Sequence, residues 1–156
     1  MVTSLKGKHC LTLTEFTREE LQFIIETAYQ FKQRYLAGER VIPLLVGRHL
    51  AMIFEKPSTR TRISFETAMR ELGGNAIYLS ASELQLARGE TIEDTARVIS
   101  RYVDGVMARV FEHWKIEKFS MHSRVPVING LSDLHHPCQA LSDVMTIMEK
   151  KGRSLE

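Results

Sequence analysis

The chain of 156 residues is poor in cysteine and in long apolar runs. Its two cysteines, Cys10 and Cys138, form no CxxC pair, which argues against a disulfide framework and favours a reducing compartment. No apolar stretch approaches the roughly 20 residues that span a bilayer, and the first residues lack the apolar run of a signal peptide. We therefore predict a cytoplasmic protein with no membrane partner.

The chain also has little net charge: 21 Lys and Arg residues stand against 19 Asp and Glu residues, a formal net charge of +2. A nucleic-acid-binding domain usually carries a basic stripe on one face, so this balance predicts no nucleic-acid partner. No strand is followed by GxGxxG, and the sequence contains no GxxxxGKS/T, which disfavours a nucleotide cofactor. An anionic ligand would have to be bound locally, by a few arginines.

Short apolar runs alternate with amphipathic segments along the chain. The apolar runs predict buried strands at 49–54, 76–79, 105–110 and 125–129. The amphipathic segments predict helices between Thr17 and Gly38 and at 59–72, 91–102, 114–121 and 137–151. This alternation predicts an α/β fold over 1–156, a single domain with a parallel four-stranded sheet flanked by helices on both faces in a Rossmann-like three-layer arrangement.

Ligands of such folds bind beyond the carboxyl ends of the strands, so the residues that follow each strand are the candidates for a site. After the first strand come Ser58, Thr59, Arg60, Thr61 and Arg62, at the start of a helix. Free backbone N–H groups and the helix dipole favour an anion there, and hydroxyl and guanidinium groups add donors. An ordinary helix cap with solvated arginines is the alternative.

Polar side chains also follow the third and fourth strands. Arg109 ends the third strand, where it must reach over the strand ends or pair with a carboxylate. His136 directly precedes the last helix and Gln139 lies in its first turn, so both can point to the same place above the sheet. A structural ion pair and a helix cap are the alternatives for Arg109 and His136. His135 and His136 are adjacent and face apart, and no third ligand has suitable spacing, so we expect no metal.

The segment 80–90 after the second strand is polar and rather long for a connection. Its length suits a lid or a loop that crosses to another subunit, with Gln85 and Arg88 as possible contacts, and a plain surface loop is the alternative. No serine or cysteine has the context of a nucleophile elbow. Cys138 lies near His136, so a thiol–imidazole pair is a further alternative, although we expect Cys138 to pack inward.

The motifs FEKPSTRTR at 54–62, Arg109 and HPCQ at 136–139 together resemble the carbamoyl-phosphate motifs of the transcarbamylases, and the resemblance covers essentially the whole chain. It implies a carbamoyl-phosphate-binding domain that uses neither cofactor nor metal. It implies that Arg60, Arg109 and His136 are catalytic. The residues that it implies for binding carbamoyl phosphate are Ser58, Thr59, Arg60, Thr61, Gln85, Arg109, His136 and Gln139. Gln85 would be contributed to a neighbouring site in a homotrimer.

Three features resemble the ornithine branch of this family more than the aspartate branch. They are Lys56 within the first motif, Cys138 within the second, and a loop from Gln85 to Glu90 without the lysine typical of aspartate enzymes. The resemblance then implies transfer of a carbamoyl group to the side-chain amine of ornithine, giving citrulline and phosphate in arginine biosynthesis.

The same resemblance places the ornithine-binding domain beyond Glu156. We therefore expect the 156 residues alone to be inactive and to meet ornithine only through that second domain. The alternatives are a fragment of an aspartate carbamoyltransferase, a non-catalytic anion-binding or assembly domain, and a phosphate-binding regulator with a flavodoxin-like sheet.

Overall fold

A computed structural model describes residues 5–152, which form a parallel β-sheet with helices on both faces. The strands are β1 (His49–Phe54), β2 (Asn75–Ser80), β3 (Gly105–Arg109) and β4 (Val127–Leu131). The helices are α1 (Arg18–Leu36), α2 (Thr59–Glu71), α3 (Ile92–Ile99), α4 (His113–His122) and α5 (Pro137–Lys151). A short 3₁₀ helix, Gln85–Arg88, lies between β2 and α3. The predicted fold class is confirmed.

The strand order is β2-β1-β3-β4, and every neighbouring pair is parallel. Right-handed crossovers place α2 on one face and α3 and α4 on the other, because the chain moves to one side of β1 first and then to the opposite side. The connections after β1 and β3 thus leave the sheet in opposite directions. Ligands of parallel sheets bind at such a switch point.

The sheet separates two apolar layers. The layer under α3 and α4 includes Ile53, Val106, Ile116 and Phe119, and the layer under α2 includes Met52, Phe54, Met69 and Met107. The central strands β1 and β3 are covered on both faces, which explains their nearly continuous apolar sequences.

Three predicted boundaries are wrong by two or three residues, and one of them is the end of the fourth strand, which lies at Leu131 instead of residue 129. The third helix ends at Ile99 instead of residue 102, because Arg101 and Tyr102 form tighter turns in which their N–H groups donate three residues back. The fourth strand begins at Val127 instead of residue 125. Proline at 126 has no N–H to donate to the sheet, and the hydroxyl of Ser123 closes a turn with Val125 just before it.

Helix α1 begins after Thr17 as predicted, and its start is a capping box, in which the Thr17 side chain accepts from the N–H of Glu20 and the Glu20 side chain accepts from the N–H of Thr17. The helix packs against α5 rather than against the sheet. Within residues 5–152 no helix is long and apolar enough to cross a membrane.

Candidate functional site

The start of α2 has the local geometry that is expected to favour an anion. Ser58 is the N-cap in an extended conformation, and its Oγ accepts from the N–H of Thr61 at 3.4 Å and donates to Thr61 Oγ1 at 3.0 Å. The N–H groups of Thr59 and Arg60 lie in the first helical turn, where no intrahelical acceptor exists. These free donors and the positive end of the helix dipole face a position that suits a phosphate group.

Arg109 emerges from the end of β3 beside this helix start. Its Nη1 donates to Thr61 Oγ1 at 3.1 Å and to the carbonyl oxygen of Gly130 at 3.3 Å. Its Nε is buried and has no hydrogen-bond partner within the described part of the chain. No carboxylate in residues 5–152 pairs with Arg109, so the structural ion pair considered from the sequence is wrong. The side chain instead reaches over the strand ends.

Arg60 and Arg109 line one cleft of about 400 Å³, which we call the arginine cleft. Six of the residues predicted for the site line it together: Ser58, Arg60, Thr61, Arg109, His136 and Gln139. None of its lining residues is acidic. Burial lowers the pKa of the Arg109 guanidinium, and the nearby charge of Arg60 lowers it further. Two cations, an exposed Arg60 and a partly buried Arg109, thus line one cleft that has no acidic lining residue, an arrangement that favours a bound anion.

His136 precedes α5, and its side chain makes no capping hydrogen bond. The helix-cap alternative is therefore wrong for its imidazole. Nδ1 of His136 is buried and lacks a partner among residues 5–152. Burial lowers the pKa of His136, the charge of Arg109 lowers it further, and Asp143 opposes both effects. Burial and Arg109 thus both favour the neutral imidazole, which can donate from one nitrogen.

Gln139 lies on the first turn of α5, and its Nε2 donates to Asp143 Oδ1 at 2.9 Å. With its amide nitrogen engaged, Gln139 has its side-chain oxygen free to accept a hydrogen bond from a ligand. Two predicted residues are not brought into the cleft. The side chain of Thr59 is exposed at the start of α2, and Gln85 is exposed on the 3₁₀ helix after β2.

Cys138 lines the cleft but is poorly suited to nucleophilic chemistry. Its Sγ donates to the carbonyl oxygen of Asn129 at 3.7 Å, and burial raises its pKa to about 11. The thiol therefore stays protonated at neutral pH, which disfavours the thiol–imidazole alternative. In the described residues no group of three His, Cys, Asp or Glu side chains could hold a metal ion.

The sequence analysis missed part of the cleft wall, namely Ser64, Phe65, Leu131 and Ser142. Three of these positions could have been found from helical spacing. Ser64 and Phe65 lie four residues after Arg60 and Thr61, and Ser142 lies four residues after Cys138, so each shares a helix face with a recognised position.

Leu131 had no such signal. The pairing of β3 with β4 shifts register between Ala108 and Arg109, so that Arg109 lies opposite Leu131. Leu131 has a φ of 146°, a backbone conformation that non-glycine residues rarely adopt. Irregular pairing of this kind re-aims side chains near functional sites, and here it lies at the strand end that presents Arg109.

Known proteins share both the sequence and this architecture. Residues 8–149 match the family described as aspartate/ornithine carbamoyltransferase, carbamoyl-P binding domain. An ornithine carbamoyltransferase of Staphylothermus marinus is 76% identical over 155 residues, which are 99% of this chain and 49% of that protein.

Two solved structures bear on the branch of the family. The ornithine carbamoyltransferase from Pyrococcus furiosus has a TM-score of 0.92 and 60% identity, covering 97% of this chain and 48% of that one. The catalytic subunit of aspartate transcarbamoylase from M. jannaschii has a TM-score of 0.85 and 39% identity, covering 93% and 48%. The present chain spans about half the length of the relatives that it matches.

Proposed function

Because the chain belongs to the aspartate/ornithine carbamoyltransferase family, we propose that the arginine cleft binds carbamoyl phosphate. We propose further that the chain is the carbamoyl-phosphate half of an enzyme that transfers the carbamoyl group to the side-chain amine of ornithine. Its products are citrulline and phosphate.

The observation that carries this proposal is the convergence of unpaired donors in one acid-free cleft. Arg60 and Arg109 supply positive charge, and Arg109 Nε is buried without a partner among residues 5–152. The first-turn N–H groups of Thr59 and Arg60 add donors from the backbone. A phosphate group satisfies all of these at once, because it offers several acceptor oxygens and a double negative charge.

The remaining groups suit the carbamoyl end of the ligand. Thr61, Arg109 and His136 are the donors for its carbonyl oxygen, and the free side-chain oxygen of Gln139 accepts from its NH₂ group. The ornithine amine attacks the carbonyl carbon, the bond to the phosphate oxygen breaks, and the amine gives up a proton. Negative charge develops on the carbonyl oxygen, where loss of one donor commonly costs about 10²–10³ in turnover.

The assignment of ornithine as the acceptor rests on the relatives. The similar proteins named ornithine carbamoyltransferase reach 76% identity, whereas the aspartate transcarbamoylase chain is 39% identical. A carbamoyltransferase assay of the intact enzyme with ornithine and with aspartate, side by side, tests this assignment. Carbamoylation of aspartate alone would contradict it.

The assembly and cellular role are proposed on the same basis. Gln85 is exposed on the 3₁₀ helix and does not line the arginine cleft of its own chain. This supports a contribution of Gln85 to a neighbouring site in a homotrimer. A similar protein from Pyrococcus furiosus is named as an anabolic ornithine carbamoyltransferase, which supports a role in arginine biosynthesis in the cytoplasm. Sedimentation of the intact enzyme, with and without Gln85→Ala, tests the trimer separately from activity.

The phosphate assignment is tested by calorimetry of carbamoyl phosphate binding to the wild type and to Arg60→Ala. Arg62→Ala is a matched control, since Arg62 lies on the same helix but pairs with Glu66 at 2.9 Å and stacks on the ring of Tyr78. We expect Arg60→Ala to weaken binding by about ten-fold or more, the value of one charged hydrogen bond, and Arg62→Ala to have little effect. Equal affinity of wild type and Arg60→Ala for carbamoyl phosphate would contradict the phosphate assignment.

A further inference from the structure

We propose that Asn129 is a positioning residue that holds Arg109 and His136 in place in the arginine cleft. This inference deepens the function proposed above and rests on it. Asn129 lies one strand position before the irregular end of β4, and its side chain is completely buried. It does not line the arginine cleft, so it acts only through the residues that it contacts.

The side-chain amide of Asn129 uses both of its ends. Nδ2 donates to the carbonyl oxygen of Leu11 at 2.9 Å, to that of His135 at 3.2 Å and to Ser132 Oγ at 3.3 Å. Oδ1 accepts from the N–H of Leu131 at 3.0 Å. A fully buried amide with this many partners fixes the backbone on both sides of the 131–136 turn.

One arm of this network leads to Arg109. Holding the N–H of Leu131 fixes the orientation of the Gly130–Leu131 peptide, whose carbonyl oxygen accepts from Arg109 Nη1 at 3.3 Å. The carbonyl of Leu131 is fixed in turn by the N–H of Val110 at 3.0 Å. Position 130 also has no room for a side chain, because a Cβ there would collide with Met107. The hydrogen bonds of Leu131 and the close packing of Gly130 against Met107 therefore restrain the peptide that orients Arg109.

The other arm leads to His136. The carbonyl oxygen of His135 accepts from Ser132 N at 3.0 Å, from Asn129 Nδ2 at 3.2 Å and from Ser132 Oγ at 3.3 Å. His136 follows directly, and the buried Nδ1 of its ring has no partner among residues 5–152 to hold it. The backbone from which the imidazole projects is thus anchored by the Asn129 network, while no hydrogen bond to Nδ1 within the described residues holds the ring itself.

Ser132 extends the network to the opposite side. Its Oγ lies 2.9 Å from His113 Nδ1, and the N–H of His113 donates to Asp133 Oδ1 at 2.8 Å. The turn is therefore pinned to the start of α4 as well as to the chain near Leu11. The pattern joins three separate segments of the chain through polar contacts behind Arg109 and His136, which line the cleft.

The test is NMR titration of the His136 ring in the ligand-free 156-residue chain, for wild type, Asn129→Ala and Ser132→Ala. The matched control is Thr95→Val, which keeps the shape of a buried side chain but deletes its hydrogen bond to Glu90 Oε1 at 2.7 Å. The charged neighbours of the ring, Arg109 and Asp143, are unchanged in every variant.

In the wild type we expect His136 to titrate below the usual pKa of a histidine, because it is partly buried beside Arg109. In Asn129→Ala the ring is released toward solvent, and its pKa returns toward the usual value. Ser132→Ala changes the pKa in the same direction by a smaller amount, and it decides the question if Asn129→Ala does not fold. Thr95→Val leaves the titration as in wild type. An unchanged titration of His136 in the folded variants overturns the proposal.

A parallel binding measurement separates this inference from the function on which it rests. The ligand is phosphonoacetamide, in which CH₂ replaces the labile bridging oxygen of carbamoyl phosphate. We expect Asn129→Ala to bind it about ten-fold more weakly than wild type, and Thr95→Val to bind it within about two-fold. If the wild type does not bind the analogue, the proposed ligand is wrong, and the NMR result still decides whether Asn129 positions His136.

Discussion

Two clefts of similar size lie in different parts of this molecule and have opposite chemistry. The arginine cleft, of about 400 Å³, contains two guanidinium groups and buried nitrogen atoms that lack partners in the described chain. A cleft of about 500 Å³ between α1 and α5, here called the apolar cleft, is lined mainly by Leu13, Leu21, Ile25, Tyr29, Leu141, Val144, Met145 and Met148. The larger of the two is therefore the more apolar.

The difference shows which property locates a site. Of the charged groups that line the apolar cleft, Glu149 is already paired with Lys32 at 2.7 Å. The walls are mainly apolar, so they favour a ligand chiefly through removal of apolar surface from water. In the arginine cleft, by contrast, Arg109 and His136 carry buried nitrogen atoms without partners in the described part of the chain, and leaving such groups unpaired is costly. Unmet hydrogen-bonding capacity, more than volume, therefore supports the arginine cleft as the proposed anion site.

Among the variants that test the contrast between the two clefts, Arg109→Met should have the largest effect on anion affinity. We expect carbamoyl phosphate affinity to fall by about 100-fold, since a buried charged donor is lost. The free energy of unfolding should change by less than about 1 kcal/mol, because the lost bonds to Thr61 and Gly130 are offset by the removal of repulsion with Arg60 and of a partly buried charge. Calorimetry and urea unfolding measure the two quantities. A large loss of stability with unchanged affinity would contradict the contrast drawn between the clefts.

A smaller effect is expected from the titration of His136. Its pKa in the free protein is lowered by burial and by Arg109. A bound phosphate dianion stabilises the imidazolium and raises that pKa. The added affinity is therefore complete below the pKa of the free protein and is lost as the pH rises through the higher pKa of the bound state.

Carbamoyl phosphate affinity measured between about pH 6 and pH 8 should therefore fall more steeply for wild type than for His136→Gln. The ionisation of the ligand itself is common to both proteins and cancels in the ratio of their affinities. Parallel pH profiles for the two proteins would show that His136 does not respond to the anion.

The smallest effect on anion binding should come from Met145→Glu in the apolar cleft. A carboxylate among apolar walls is expected to abolish the binding of a neutral apolar dye such as Nile red. Affinity for carbamoyl phosphate should stay within about two-fold of wild type, because additivity holds for distant sites. Fluorescence titration and calorimetry on the same variant check both statements. Coupled loss of dye and anion binding would mean that the two clefts are not independent.

Much of this architecture could be predicted from the sequence, because apolar runs and capping residues act locally. The bounds of β1 and α5 agree with the prediction at both ends. Arg109 and His136 could be identified from their places at strand ends, since a parallel sheet brings those ends to one edge. The ornithine branch, indicated by Lys56 and Cys138, is supported by the relatives, among which ornithine carbamoyltransferases are the more similar.

The parts that could not be predicted depend on contacts between distant segments. The conformation of Leu131 follows from the irregular pairing of β4 with β3, which no local pattern encodes. The role of Asn129 depends on meeting Leu11 and on the turn that follows it. A buried asparagine in an apolar run is compatible with many environments, so its partners could be identified only from the fold.

The contact of Asn129 with Leu11 joins residues that are 118 positions apart in the chain. The backbone of Cys10 adds to it, because its carbonyl accepts from the N–H of Asn129 at 2.9 Å. Closing so long a loop is entropically slow, and such non-local pairings limit folding rates. The anion site is therefore expected to be among the last features to form during folding. On the ribosome, the phosphate-binding helix start would exist well before the histidine that completes the pocket is held in place.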